Sequence, residues 1–178
     1  MENIFSIKSV NIVNNNWAEG YATVLASSSD NARDQTMWIS KRTDYGTRAV
    51  LALAMADGGL KLDEIAATTG APRSVLEQVM PTLRTAGIVR AERGPHGGYR
   101  LNNAPTDITL ERVVRLFQGQ LAPIGYATRR NPEPCPAIVD ASLREVWVEV
   151  RDATIEILGR TTFADLAAAA GQSRGAEA

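Results

Sequence analysis

The sequence predicts a mainly α-helical fold with one small β-hairpin, and three observations carry that prediction. Apolar residues recur at helical spacing in successive segments from Thr43 onward. A glycine-rich stretch, Gly94 to Gly98, separates two short runs that read as strands. The longest amphipathic segment, 140–158, follows the hairpin and stands apart from it in sequence.

Residues 1–36 hold an Asn run (Asn14 to Asn16), a Ser run (Ser27 to Ser29) and no sustained period, which predicts a disordered extension. An over-long gene start would produce such a segment, and a short strand over Ser9 to Val13 is the alternative. From Thr43 to Ala56, Val50, Leu51 and Ala54 share one helical face and Thr43 is placed to cap the start. Gly58 and Gly59 end that helix. A second helix is expected from Leu62 to Thr69, with Leu62, Ile65 and Ala66 inward and Gly70 as its left-handed terminator. Pro72 suits the first position of a third helix running to about Ala86, with Leu76, Val79, Met80 and Leu83 on one face. Two helices joined by Gly70-Ala71 make a helix-turn-helix.

Pro81 lies inside the third helix, where it removes an N–H and crowds the preceding turn, so a kink is expected there. Beyond Gly87, Ile88 to Glu92 and Tyr99 to Leu101 form the hairpin, with Gly94, Gly97 and Gly98 supplying unusual backbone angles. Residues 37–104 therefore read as a winged helix-turn-helix. Residues 105–170 supply a linker helix capped by Thr109, a Pro-rich loop, a long helix over 140–158 and a short closing helix over 162–170. Residues 171–178 are expected to form a flexible tail. The long helix carries an apolar stripe of Leu143, Val146, Trp147, Val150 and Ile157, which needs a partner; the same helix of a second subunit supplies one.

With 178 residues and 44% apolar content the chain can bury an ordinary core. No run approaches the roughly 18 apolar residues of a membrane span, and no basic region followed by an apolar run opens the chain, which predicts a cytoplasmic protein with no membrane partner. The formal net charge of −1 is unevenly distributed. Residues 1–36 carry two basic and four acidic residues, residues 37–104 nine and six, and residues 105–178 eight and ten. Only the winged segment is net basic, which permits nucleic-acid binding by local lysines and arginines.

Several stretches together resemble the Rrf-two family of winged-helix transcription regulators. They are Met37-Trp-Ile-Ser-Lys-Arg-Thr-Asp-Tyr-Gly-Thr-Arg-Ala-Val, Glu64-Ile-Ala, Leu76-Glu-Gln, Ala86-Gly-Ile-Val, Arg93-Gly-Pro-His-Gly-Gly-Tyr-Arg-Leu, Ile108-Thr-Leu and Thr161-Thr-Phe-Ala-Asp-Leu. The likeness spans Met37 to Leu166 in unbroken order, and the wing is its most specific part. The resemblance implies a homodimer with crossed C-terminal helices, each recognition helix in a major groove of double-stranded DNA and each wing near a minor groove. Arg73, Ser74, Glu77 and Gln78, at the start of the recognition helix, would face base edges. Arg93, His96 and Gly97 on the wing would approach the minor groove or its phosphates. Lys41, Arg42 and Arg48 would contact the backbone and set register. His96 departs from the family, which usually has Gly there; Glu77 can instead pair with Arg73 across one turn.

Many members of that family hold an iron-sulfur cluster through three cysteines in the loop before the dimer helix. Here only Cys135 is present; the other places hold Tyr126 or Ala127 and Asp140 or Ala141, and Asp44 stands where some members recruit an aspartate. One thiolate is a poor basis for a cluster, so no cofactor and no metal are expected. The function expected is a sequence-specific DNA-binding regulator, a repressor acting as a homodimer on a two-fold symmetric operator, with its effector unidentified. The alternatives are a winged-helix adaptor for other proteins and a redox regulator sensing through Cys135. An enzyme is excluded by the lack of any catalytic constellation: one histidine, one cysteine and no phosphate-binding glycine loop after a strand.

Overall fold

The computed structural model describes residues 39–175 apart from 57, 93, 95–96, 130–131 and 136–140. The expectations for residues 1–36, and those for Arg93 and His96, fall outside the described residues.

Helix α1, Lys41–Met55, starts two residues earlier than its apolar pattern, because Ser40 and not Thr43 caps it. The Ser40 hydroxyl accepts from the Thr43 N–H at 3.2 Å. Thr43, expected as the cap, is buried inside the first turn and donates its hydroxyl to Gln118 Oε1 at 3.1 Å. Helix α2, Leu62–Thr69, is closed at its start by the Glu64 carboxylate, which accepts the Lys61 N–H at 2.6 Å. It ends on Gly70 at φ 67°, a left-handed angle that costs glycine nothing.

Helix α3, Arg73–Thr85, follows Pro72, whose carbonyl accepts from Val75 and Leu76 at 3.0 and 3.1 Å. Leu76, Val79, Met80 and Leu83 are all fully buried, so the i, i+3, i+4, i+7 stripe points inward as a set. The helix runs unbroken through Pro81. Pro81 and Glu77, whose carbonyl loses the i+4 N–H, are both exposed, and water can satisfy the freed acceptor.

Strands β1, Val89–Glu92, and β2, Gly98–Leu101, pair antiparallel with Arg90 opposite Arg100 and Glu92 opposite Gly98. Leu60 joins this hairpin from the α1–α2 connection: its N–H and C=O bond Tyr99 at 3.0 and 2.8 Å. A Cβ on Gly98 would lie 2.6 Å from the Leu60 carbonyl oxygen, so glycine is required there for close approach. Of the three glycines expected to supply unusual angles, only Gly94 has a positive φ, at 121°.

Thr109 caps α4, Leu110–Gln118, accepting from the Arg112 N–H at 3.3 Å. Helix α5, Ala141–Arg160, packs on α4 and on the short turn Gly125–Ala127. Helix α6, Phe163–Gly175, opens with a reciprocal cap in which Asp165 Oδ2 accepts from the Thr162 N–H at 2.9 Å, and extends five residues past the expected end at Ala170. The Phe163 N–H donates to Ile108 O at 3.0 Å, and the Leu110 N–H to Thr161 O at 2.8 Å. Phe163 is fully buried in one core with Val50, Leu76, Ile108 and Val113. The core therefore does not stop at residue 104, because the chain leaving α5 is stitched back beside α1. No helix among the described residues is long and apolar enough to cross a membrane.

Candidate nucleic-acid interface

Burial of one face of α3 leaves Arg73, Ser74, Glu77, Gln78 and Pro81 exposed on the other. All four residues expected to face base edges are thus presented on one turn-and-a-half of the helix, with the proline, which offers no N–H, on the same outer side. Arg73 does not stand alone there. Its Nε donates to Glu77 Oε1 at 3.1 Å, and its Nη1 to the Asp63 carboxylate on α2. One guanidinium between two carboxylates leaves this patch locally net negative. Asp63 was absent from the sequence expectations; the signal for it was its place in the first turn of α2, facing the start of α3 across the Gly70-Ala71 turn.

On α1, Lys41, Arg42 and Arg48 are exposed. Arg42 donates to Thr82 Oγ1 on α3 at 3.2 Å and lies 5.8 Å from the Phe117 ring centre, so its charge is held against the recognition helix. Arg48 pairs with Asp44 at 2.7 Å and reaches the Thr69 carbonyl at the end of α2 at 3.4 Å. The structure thereby places Arg48 at the turn of the helix-turn-helix and Arg42 beside the later part of its second helix. Asp44 is engaged by Arg48, which accounts for its carboxylate without a metal. Gly97 closes the wing turn, its N–H donating to Gly94 O at 2.9 Å. Two wing arginines escaped the sequence reading. Glu92 lies between Arg90, at 3.2 Å, and Arg100, at 2.9 Å, so the hairpin carries a charge pattern of two cations around one anion. Strand alternation puts Arg90 and Glu92 on one face, and the register brings Arg100 across from them.

Residues 39–169 match the family profile of Rrf2, described as an iron-dependent transcriptional regulator. The chain belongs to the Rrf2 family of transcriptional regulators. It is 35% identical to the HTH-type transcriptional regulator CymR of Bacillus subtilis over 133 residues, covering 74% of this chain and 90% of that one. It is 32% identical over 139 residues to a putative rrf2-like regulator of Rhodobacter capsulatus, covering 74% and 93%. Among solved structures, that of the B. subtilis CymR, titled the global cysteine regulator, aligns with TM-score 0.63 at 33% identity over 73% of this chain and 95% of that one. The T. potens IscR aligns with TM-score 0.62 at 28% identity over 78% and 91%. The winged-helix fold and DNA-binding regulation are those of the family, and the relatives are named as regulators, not enzymes.

The donor set of this Rrf2-family chain does not fit a thiolate-bound cluster. The whole sequence has one cysteine, Cys135, which is exposed in the segment 132–135. Among the described residues no group of three or more His, Cys, Asp or Glu side chains is arranged to hold a metal ion. Tyr126 and Ala127, at one expected ligand position, are buried and occupied in packing against α5.

Proposed function

We propose that this chain is a sequence-specific repressor that binds a two-fold symmetric operator as a homodimer and does so without an iron-sulfur cluster. The observation that carries the reading is α3: an inner face fully buried at Leu76, Val79, Met80 and Leu83 holds the outer Arg73, Ser74, Glu77 and Gln78 rigidly toward a groove. Arg73 and Gln78 have donors suited to guanine and adenine edges, and Glu77 can accept from cytosine. Lys41, Arg42 and Arg48 set register on the phosphates, and the wing, through Arg93, His96 and Gly97, approaches the adjoining minor groove or its phosphates.

Dimerisation through α5 is supported by its surface. Leu143, Val146 and Ile157 are 44%, 51% and 52% exposed, and Trp147 and Val150 half-buried. Leu143, Val150 and Ile157 recur every seven residues, the spacing at which two helices keep a shared seam. Residues 37–104 then act as the reading unit and 105–170 as the linker and dimer element. A single thiolate per protomer supports the cluster-free reading.

Selection of binding sites from random duplex DNA by the purified full-length chain tests this, with its optical spectrum recorded anaerobically beforehand. The expected result is an inverted-repeat site and no visible charge-transfer band. Absence of any sequence preference overturns the regulator reading, and a reproducible band with stoichiometric iron overturns the cluster-free one.

A further inference from the structure

The end of α4, the segment 119–129 and one side of α5 enclose a cleft of about 660 Å³. Its apolar wall is Leu121, Ala122 and Ile155; its charged wall is Arg129, Arg151 and Asp152. Arg151 is only 5% exposed and fixed in place: it donates to Ala127 O through Nη1, and pairs with Asp152 Oδ1 through Nε at 2.9 Å and Nη2 at 2.8 Å. Arg129 donates to the other oxygen of the same carboxylate at 3.2 Å. The hydrogen bond from Arg151, with that from Arg129 behind it, holds the Asp152 carboxyl below the usual carboxylate range, so it stays ionised. Its single negative charge is shared by two guanidiniums. The other charged lining residues bring their own partners, Arg115 with Glu111 and Glu156 with Arg160. The cleft is left with a surplus of one positive charge beside an apolar wall.

We infer that this cleft binds a small organic monoanion, a carboxylate on a short apolar body, with the carboxylate on the guanidinium of Arg129, the Arg151 charge behind it, and the apolar body against Leu121, Ala122 and Ile155. The volume lies in the range of small-molecule sites, and a guanidinium fork matches a carboxylate in shape and charge. At about 100° per residue, Asp152 and Ile155 project about 140° and 160° away from the mean direction of Val146, Val150 and Ile157. Covering the apolar stripe with a second subunit leaves the cleft open. The inference rests on the cleft alone and holds whether or not the chain reads DNA.

The test is titration of the isotope-labelled full-length chain, free of DNA, with hexanoate, 1-hexanol and hexylammonium at millimolar concentrations, followed by amide chemical shifts. Hexanoate is expected to give saturable shifts at Leu121, Ala122, Asp152 and Ile155 that the alcohol and the amine do not. Arg129 is 75% exposed, so Arg129→Ala should leave the melting temperature unchanged while weakening hexanoate binding about tenfold, the scale of one charge-assisted hydrogen bond. No saturable shift with hexanoate, an equal response to 1-hexanol, or undiminished binding by Arg129→Glu overturns the inference.

Discussion

Arg73 can reach a base edge only by leaving Asp63 and Glu77, and that exchange sets the size of its effect on recognition. Side-chain exposures of 54% for Arg73, 75% for Asp63 and 55% for Glu77 mark both ion pairs as solvent-screened. Pairs of that kind contribute about 0.2–1 kcal/mol each. A bidentate guanine contact discriminates by about 1–3 kcal/mol. Leaving both pairs costs about 0.4–2 kcal/mol, so the exchange is favourable where the guanine contact exceeds that cost and Arg73 stays paired elsewhere; the two carboxylates subtract from the affinity gained at guanine. Arg73→Ala should weaken the preferred operator about 5- to 150-fold while changing unrelated duplexes far less, which relaxes preference at one position of each half-site. Asp63→Ala removes one competitor and one negative charge beside Arg73. It should tighten the preferred operator by about 1.5- to 5-fold and unrelated duplexes by no more than that, leaving the ratio of specific to unspecific binding unchanged or higher. Competition binding with single-base operator variants, repeated over a salt series, measures both. Equal weakening of all sequences by Arg73→Ala would make Arg73 a phosphate contact, and weaker binding by Asp63→Ala would refute the exchange altogether.

Gly98→Ala places a Cβ against the Leu60 carbonyl and should cost about 1–3 kcal/mol, seen as a Tm lower by several degrees with wing-dependent DNA binding reduced. Phe163→Ala should cost about 3–5 kcal/mol and lower the whole chain's transition by thermal unfolding, because Phe163 sits in the core of the reading unit; a separate early transition of the C-terminal part alone would contradict that placement. Val146→Glu with Ile157→Glu, at positions 51% and 52% exposed, should leave the monomer's fold intact while sedimentation shows a lighter species and operator affinity falls. The Asp165 carboxyl is held below its ordinary value first by the Thr162 hydroxyl and then by the Thr162 N–H. A lowered folded-state value means its contribution is present above the unfolded-state value and lost as pH falls through the folded one, below about pH 4. Asp165→Asn should flatten that part of the acid limb in denaturant unfolding, and an unchanged acid limb would count against the cap.

The elements of the reading unit were legible because their signals are local. Leu76, Val79, Met80 and Leu83 announce a buried helix face by spacing alone, Gly70 an αL terminator and Thr109 a cap, and each stands where expected. Misplacements arose where a tertiary partner overrides a local rule. Thr43 has every property of a cap, yet Gln118, 75 residues away, draws its hydroxyl inside and leaves the role to Ser40. Gly98 looked like a turn glycine and is instead a close-approach glycine, since Leu60 comes from another part of the chain. Arg73 was expected to face base edges, but its pairing with Asp63 was not foreseen, because Asp63 is ten residues away and the pairing depends on how α2 and α3 cross. Pro81 broke no helix, since the acceptor it orphans lies on the exposed side.

The return of the chain after α5 bears on how such a regulator could be controlled. Thr161 O and the Phe163 N–H tie the end of α5 to Leu110 and Ile108 at the start of α4, so this end of the α4–α5 pair is fixed to the reading core. Helix α6 packs on α1, and α1 reaches α3 through Arg42 and Thr82. A shift of α5 relative to α4 cannot be absorbed in a flexible linker at that end, because the linker is a two-residue turn, Thr161-Thr162, held by backbone hydrogen bonds. At the other end, the described stretch 119–129 follows α4, and Arg129 and Arg151 share Asp152 there. A displacement of α5 would therefore be passed to α1 through α6, and from α1 to α3 through the Arg42–Thr82 hydrogen bond.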